Sequence, residues 1–219
     1  MERTQYKKSS KTQDRILDVA EDLFSKQGFD ATTTRQITAA AGVRTASVNY
    51  YFKTKRDLMI AVIDRRFDIL RREREAMLAN VDTHSGDQPT QIKAIVEAFV
   101  LPLAKLTKTD PVGWSNYNRI IAQLALNKEL PHDTYAEKIN KTAEKFIVGL
   151  KATSPNKSLN DVIEAYQFLL GAVLFAFTES DRFTQALNGN SQLAQAASNP
   201  KPLVNFISAG LVELFDPGQ

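Results

Sequence analysis

The chain has 219 residues, 43% hydrophobic and 24% charged, with 28 basic and 25 acidic side chains and a net charge of +3. That length and apolar content suit one or two globular domains with a real core and exclude a disordered chain. Cysteine is absent, which excludes disulfides, thiolate nucleophiles and cysteine-ligated metals and permits a reducing compartment.

Residues 1–9 are polar, basic and expected to be mobile. They lack the apolar core of a secretion signal, and no apolar run is read as reaching the length of a membrane span, so a cytoplasmic protein with no membrane partner is expected. Helix one begins near Ser10, with Ser10 and Gln13 as a capping box, and carries Ile16, Leu17, Val19, Ala20, Leu23 and Phe24 at helical spacing. Gly28 stops it and Phe29 folds back into the core.

Two short helices joined at Gly42 follow. The first sets Ile37, Ala40 and Ala41 on one face behind a Thr33/Thr34 cap, and Gly42 supplies the left-handed position that ends it. The second runs from about Thr45, whose hydroxyl is expected to cap it, and buries Val48 and Phe52. Its exposed face is then Arg44, Thr45, Ser47, Asn49 and Tyr50, with Tyr51 at the margin. A polar, donor-rich face on a short helix braced by another is what a helix-turn-helix presents to a major groove.

The stretches AEDLFSKQGFDATTTRQI, AAAGV and VNYYFKTKRDLM resemble the TetR family of bacterial transcriptional regulators, TetR/AcrR type, over about Thr12 to Asp64. The ending Tyr-Tyr-Phe-Lys-x-Lys-x-x-Leu is specific for so short a run. Phosphate contacts are expected from Thr33, Thr34, Tyr50 or Tyr51 and Lys55, and base contacts from Arg44, Thr45, Ser47 and Asn49, with Ala46 and the Thr45 methyl against a thymine methyl. Residues 1–57 hold a net charge of +4 of the total +3, as a nucleic-acid module joined to a near-neutral body would.

Helix four opens on a Thr54–Asp57 capping box and meets no breaker before about Ala79. The resemblance implies that it is a rigid connector between the DNA-reading end and the rest. Arg65, Arg66, Arg71, Arg72 and Arg74 are read as solvated or ion-paired, not as DNA ligands. After the flexible segment VDTHSGDQPT, helix five carries Ile92, Ile95, Val96, Phe99, Val100 and Leu103, with Pro102 as a kink or stop. Asp110-Pro111 opens a helix bearing Trp114 and Tyr117, and another runs from about His132 to Ala152. Ser158 and Asp161 cap a helix apolar on nearly all sides, and NGNSQLAQAASNPK reads as a loop before the last helix, PLVNFISAGLVELF.

A helix apolar all round needs burial all round, which a partner subunit supplies. Leu170, Gly171, Leu174 and Phe175 are therefore assigned with Phe206, Ile207, Gly210 and Leu211 to a four-helix homodimer interface, which the resemblance also implies. Phe99, Trp114, Tyr117, Asn118, Tyr135 and Phe146 are the residues read as lining an apolar pocket with polar anchors. That they hold a small-molecule effector is what the resemblance implies.

No nucleotide-binding glycine loop, GxSxG, HExxH or dinucleotide fingerprint occurs, and His84 and His132 stand alone, so no enzyme, metal site or cofactor is expected. The expectation is an all-α protein of about nine helices, with a three-helix DNA-binding domain over 1–57 and a helical effector-binding and dimerisation domain over 58–219, joined by a helix at about 55–79. Its function is that of a dimeric regulator, by the family's habit a repressor, that binds an inverted-repeat operator in double-stranded DNA and is released by a hydrophobic effector. The alternative is a helical ligand-binding or scaffold protein without specific DNA binding.

Overall fold

The computed structural model describes residues 2–83, 85–126, 132–178 and 196–216, and their side chains apart from those of 2–10, 126 and 132–136. The readings made for His84, for the side chains of Ser10, His132 and Tyr135, and for most of NGNSQLAQAASNPK lie outside the described residues. Among the described residues there are nine α-helices and no strand. They form two compact units, one of residues 1–68 with 112–131 and one of 69–111 with 132–219. The first therefore takes in the start of α4 and nearly all of α6 beside the first three helices.

In the first unit, α1 (Glu2–Ala31) starts at Glu2, not near Ser10, and Gly28 breaks its helical geometry at φ 82°. Its buried face is Ile16, Leu17, Ala20 and Phe24, at i, i+1, i+4 and i+8, with the polar Glu21 and Ser25 on the same stripe. Thr32, fully buried, closes the bend by donating to the Gly28 carbonyl at 2.7 Å. Phe29 packs on Phe24 with ring centroids 5.8 Å apart but stays half-buried.

The helix pair is α2 (Thr34–Ala41) and α3 (Thr45–Tyr51). Thr33 caps α2 through a reciprocal capping box with Gln36. The buried face of α2 is Ile37, Thr38 and Ala41. Ala40, expected inside, is exposed, and Thr38 takes its place because its hydroxyl is satisfied by the Arg35 carbonyl at 3.0 Å. Gly42 ends α2 in the left-handed region at φ 60°, its N–H and that of Val43 turned back to α2 carbonyls. A side chain at Gly42 would meet nothing within 4 Å, so its cost is backbone strain alone. Gly42→Ala is expected to lower stability by about 1–2 kcal/mol, seen as a lower urea midpoint with an unchanged slope.

Helix α4 (Lys55–Leu78) is opened by the Thr54–Asp57 capping box, with both reciprocal N–H bonds at 3.0 Å. Leu58, Met59, Val62, Ile63 and Phe67 bury one side of its first half. Helix α6 (Pro111–Leu126) begins at the Asp110-Pro111 signal. It is tied to α1 by Ser25 Oγ donating to Asn116 Oδ1 at 2.9 Å and by Gln123 Nε2 donating to the Ser25 carbonyl at 3.1 Å.

The second unit packs α5 (Gln88–Thr109), α7 (His132–Thr153), α8 (Leu159–Thr178) and α9 (Lys201–Phe215), with α5 meeting α7 and α9, and α8 meeting the same two. Its core holds Ile92, Ile95, Phe99, Phe146, Leu150 and Leu169, all essentially inaccessible to solvent. Helix α5 starts within the segment read as flexible, because Asp87 caps it by accepting from Thr90 N at 2.7 Å. It also runs through Pro102 to Thr109 instead of stopping there. In the turn that Pro102 loosens, Arg74 Nε donates to the Phe99 carbonyl at 2.9 Å and the guanidinium lies 3.6 Å from the Phe99 ring centre. The Ser158–Asp161 box caps α8.

Leu159–Thr178 has a mean hydropathy of 1.4 over its best window, so by length and composition it could cross a membrane, contrary to the sequence expectation. Its buried stripe of Val162, Ala165, Tyr166, Leu169, Val173 and Phe177 packs instead against α7 and α9.

Glu75 sits between Lys145 at 2.9 Å and Arg71 at 3.2 Å. Burial pushes its carboxyl up, but Lys145 and then Arg71 outweigh that and hold it below the usual 4.5. A depressed folded-state pKa adds stability that is complete above the unfolded value and is lost as pH falls through the folded one. The melting-temperature advantage of the wild type over Glu75→Gln is thus expected to be constant near neutral pH and to shrink only below 4.5.

Candidate nucleic-acid interface

Helix α3 is short, and its single buried residue is Val48, so nearly everything else on it faces outward. Val48 and Phe52, 2% and 5% exposed, seat it on the first unit's core. Arg44, Thr45, Ala46, Asn49 and Tyr50 are exposed, while Ser47 and Tyr51 are half-buried. Tyr50 reaches 81% exposure, held edge-on against Tyr51 with ring centroids 5.1 Å apart. A large aromatic displayed in water beside hydroxyl, amide and guanidinium donors is a surface built for a partner.

The start of α3 corrects one expectation. Arg44, extended at φ −78° and ψ 149°, is the N-cap residue and makes no side-chain cap bond; Thr45 is the first helical residue. Its hydroxyl is therefore not the cap, and the helix's first N–H groups remain beside exposed donor side chains.

At the start of α2, the Thr33 hydroxyl is engaged with Gln36, accepting from its N–H at 3.2 Å and donating to its Oε1 at 2.8 Å. Gln36 was not singled out from the sequence, although the Thr-x-x-Gln spacing signals it. Thr34 is half-buried and Arg35 exposed, and their backbone N–H groups lie in the positive first turn of α2. Lys55 faces inward. Its Nζ donates to the Phe29 carbonyl at 2.8 Å and to the Thr32 carbonyl at 3.0 Å, and lies 4.2 Å from the Phe29 ring centre. The lysine thereby caps the open carbonyls at the end of α1.

Behind this face, Glu21 on α1 is nearly buried and clamps two arginines of α4. Arg66 Nε donates to Glu21 Oε1 at 2.9 Å, and Arg65 pairs with Glu21 Oε2 and with Asp18. Burial disfavours the Arg65 charge, yet Glu21 and then Asp18 outweigh it and raise its pKa beyond the ordinary arginine value. Of Arg65, Arg66, Arg71, Arg72 and Arg74, read as solvated or ion-paired, Arg65 and Arg66 pair with Glu21 and Arg71 with Glu75, whereas Arg74 meets the carbonyl and ring of Phe99. The clamp was missed, though Glu21 falls at i+4 from Leu17 on the apolar stripe, a spacing that marks a buried acid.

The residues read as an effector pocket are divided. Trp114, Tyr117 and Asn118 lie buried on α6 of the first unit, where Trp114 and Tyr117 stack edge-on at 5.4 Å and Arg66 lies 5.3 Å from the Trp114 ring centre. Phe99 and Phe146 lie in the second unit, stacked edge-on at 5.0 Å with Tyr166 alongside Phe99. Burial raises the Tyr166 phenol pKa. Of the residues read as a dimer face, Ile207 and Leu211 are buried within the unit, and Leu170 and Leu174 are half-buried. Gly171, Phe175, Phe206 and Gly210 are exposed, Phe206 at 74%. A groove between α8 and α9, lined by Phe168, Ala172, Phe206, Ile207, Gly210 and Leu214, continues this apolar face. Among the described residues no cluster of side chains has a metal-binding arrangement.

Comparison with known proteins agrees with this geometry. Residues 16–62 match the model of the family described as bacterial regulatory proteins, tetR family, and residues 97–210 match that described as tetracyclin repressor-like, C-terminal domain. The chain is 34% identical over 77 residues to a probable helix-turn-helix transcriptional regulator, YttP of Bacillus subtilis, a match covering 35% of this chain and 37% of that protein. It is 28% identical over 160 residues to the repressor KstR2 of Rhodococcus jostii, covering 70% of this chain and 72% of that one. In fold it is similar to a tetR-family regulatory protein from Rhodococcus, with a TM-score of 0.62 at 19% identity over 94% of this chain and 97% of the other. It is also similar to the fatty acid degradation regulator FadR from Bacillus halodurans, with a TM-score of 0.54 at 18% identity over 90% and 98%.

Proposed function

Because the chain belongs to the TetR family of bacterial regulatory proteins, we propose that it is a dimeric transcriptional repressor that reads an inverted-repeat operator and is released by a small apolar effector. The observation that carries this is the outward face of α3, where Arg44, Thr45, Ala46, Asn49 and an 81% exposed Tyr50 stand on a helix anchored by Val48 and Phe52. Arg44 pairs with guanine O6 and N7, Asn49 with an adenine edge, and Ala46 and the Thr45 methyl with thymine methyls. Phosphates meet the first-turn N–H groups of α2 and the Thr34 hydroxyl, the phenols of Tyr50 and Tyr51, and the remaining N–H of Lys55, while Ser47 stands with the base contacts.

Residues 1–57 do the reading, and 58–219 bind the effector and pair the subunits. The exposed side of α8 and α9, with Phe175, Phe206, Gly171 and Gly210, meets its symmetry mate and sets two copies of α3 about one helical turn apart, ~34 Å. The effector lies against the aromatic residues of α6, Trp114 and Tyr117. Such a protein acts in the cytoplasm, where the DNA is, and needs no catalytic group.

The test is titration of the purified protein against DNA flanking its own gene, with random competitor and at low and high salt. A protected inverted repeat that survives competitor, with affinity falling steeply as salt rises, is expected. A flat salt response with no protected repeat would leave the other reading, a helical ligand-binding protein that does not read DNA.

A further inference from the structure

Asn118 is 2% exposed, and its Nδ2 is the one buried side-chain nitrogen or oxygen among the described residues with no hydrogen-bond partner. Asn116, two positions earlier, is also buried but is satisfied, accepting from Ser25 Oγ at 2.9 Å. The two sit on different faces of α6. Asn116 and Gln123 turn to α1, whereas Trp114, Tyr117 and Asn118 follow the i, i+3, i+4 spacing of another stripe. On that stripe an amide is a poor choice for packing, because a buried donor left unmade destabilises the fold where a leucine of similar volume would not.

We propose that Asn118 Nδ2 is the specificity-determining donor of the effector site, and that the effector is an apolar molecule bearing an acceptor oxygen, such as a ketone, ester or carboxylate. This rests on the effector-binding reading above and narrows it. The apolar part of the molecule lies along the Trp114 and Tyr117 rings. A pure hydrocarbon gives the amide nothing. A cationic amine is rejected twice, by the Nδ2 donor and by the Arg66 guanidinium 5.3 Å from the Trp114 ring centre. Arg66 also holds Glu21 of α1 at 2.9 Å, so a molecule pressing on Trp114 acts directly on the joint between α1 and α4.

The full-length protein tests this with three probes of one shape: cyclohexanone, methylcyclohexane and cyclohexylammonium. The Asn118 side-chain amide signal, assigned in the nitrogen-15 NMR spectrum by its loss in Asn118→Leu, is expected to shift saturably with cyclohexanone and to stay put with the other two. Asn118→Leu is expected to melt about 2–4 °C higher than the wild type, since it removes an unmade donor. An amide unmoved by cyclohexanone, equal shifts with all three probes, or a lower melting temperature for Asn118→Leu would each overturn the proposal. If the repeat is protected and the amide is unmoved, the acceptor site falls alone. If no repeat is protected and the amide still responds to cyclohexanone only, the acceptor site stands and the regulator reading falls.

Discussion

Glu21→Ala is expected to destabilise the protein by about 3–5 kcal/mol, the range for removing one partner from a buried ion pair. The carboxylate side chain is 4% exposed, and the two guanidinium groups it holds are 28% and 14% exposed. Truncation leaves Arg65 with Asp18, which is largely in water, and takes from Arg66 the nearly buried carboxylate it holds at 2.9 Å. Glu21→Gln keeps the shape and one acceptor but loses the charge, so its cost should fall between alanine and wild type. Chemical denaturation followed by circular dichroism measures all three. Equal stability of wild type and Glu21→Ala would mean that the pair is no better than its desolvation cost.

Phe206→Glu should divide folding from assembly. At 74% exposure the ring makes few contacts within its own chain, so the substitution should leave helix content and melting close to wild type. In a dimer packed through α8 and α9 the same position becomes interior, and an unpaired carboxylate there is strongly disfavoured. Light scattering should report a monomer. Affinity for the full inverted repeat should drop by about 10²–10⁴, the gain that linking two sites gives, while affinity for a single half-site should not change. A Phe206→Glu protein that remains dimeric would remove this face from the interface.

Much of this fold is written in short-range signals. Asp110-Pro111, Thr54 with Asp57, and Ser158 with Asp161 each announce a helix start within four residues, and each stands where expected. Gly42 likewise ends α2 through a conformation that only its own backbone requires. The errors arise where a local signal has competitors. Thr45 carries the hydroxyl that favours a cap, yet an extended Arg44 takes the cap position with no side-chain bond to advertise it. Pro102 reads as a kink or stop from its own ring alone, yet α5 continues past it, and Arg74 of another helix braces that turn at the Phe99 carbonyl.

The candidate site divides the same way. The outward face of α3 follows from period and polarity alone, because burial of Val48 and Phe52 fixes which side turns out. The Ser25–Asn116 bond joins residues 91 positions apart, and the Glu21 clamp joins α1 to α4 across 44 and 45 positions. Such pairings leave no periodicity to read, so the membership of α6 in the first unit could come only from the structure.

Lys55 opens α4 and at the same time closes α1, through the Phe29 and Thr32 carbonyls. Opening either helix end thus exposes the polar groups of the other, and the energetic barrier to fraying is shared. The amides around Phe29 to Thr33 and those of the first buried turn of α4, near Leu58, should exchange with deuterium at matching rates, as one cooperative unit. Lys55→Met, which keeps the stem and removes the ammonium, should speed exchange at both places together.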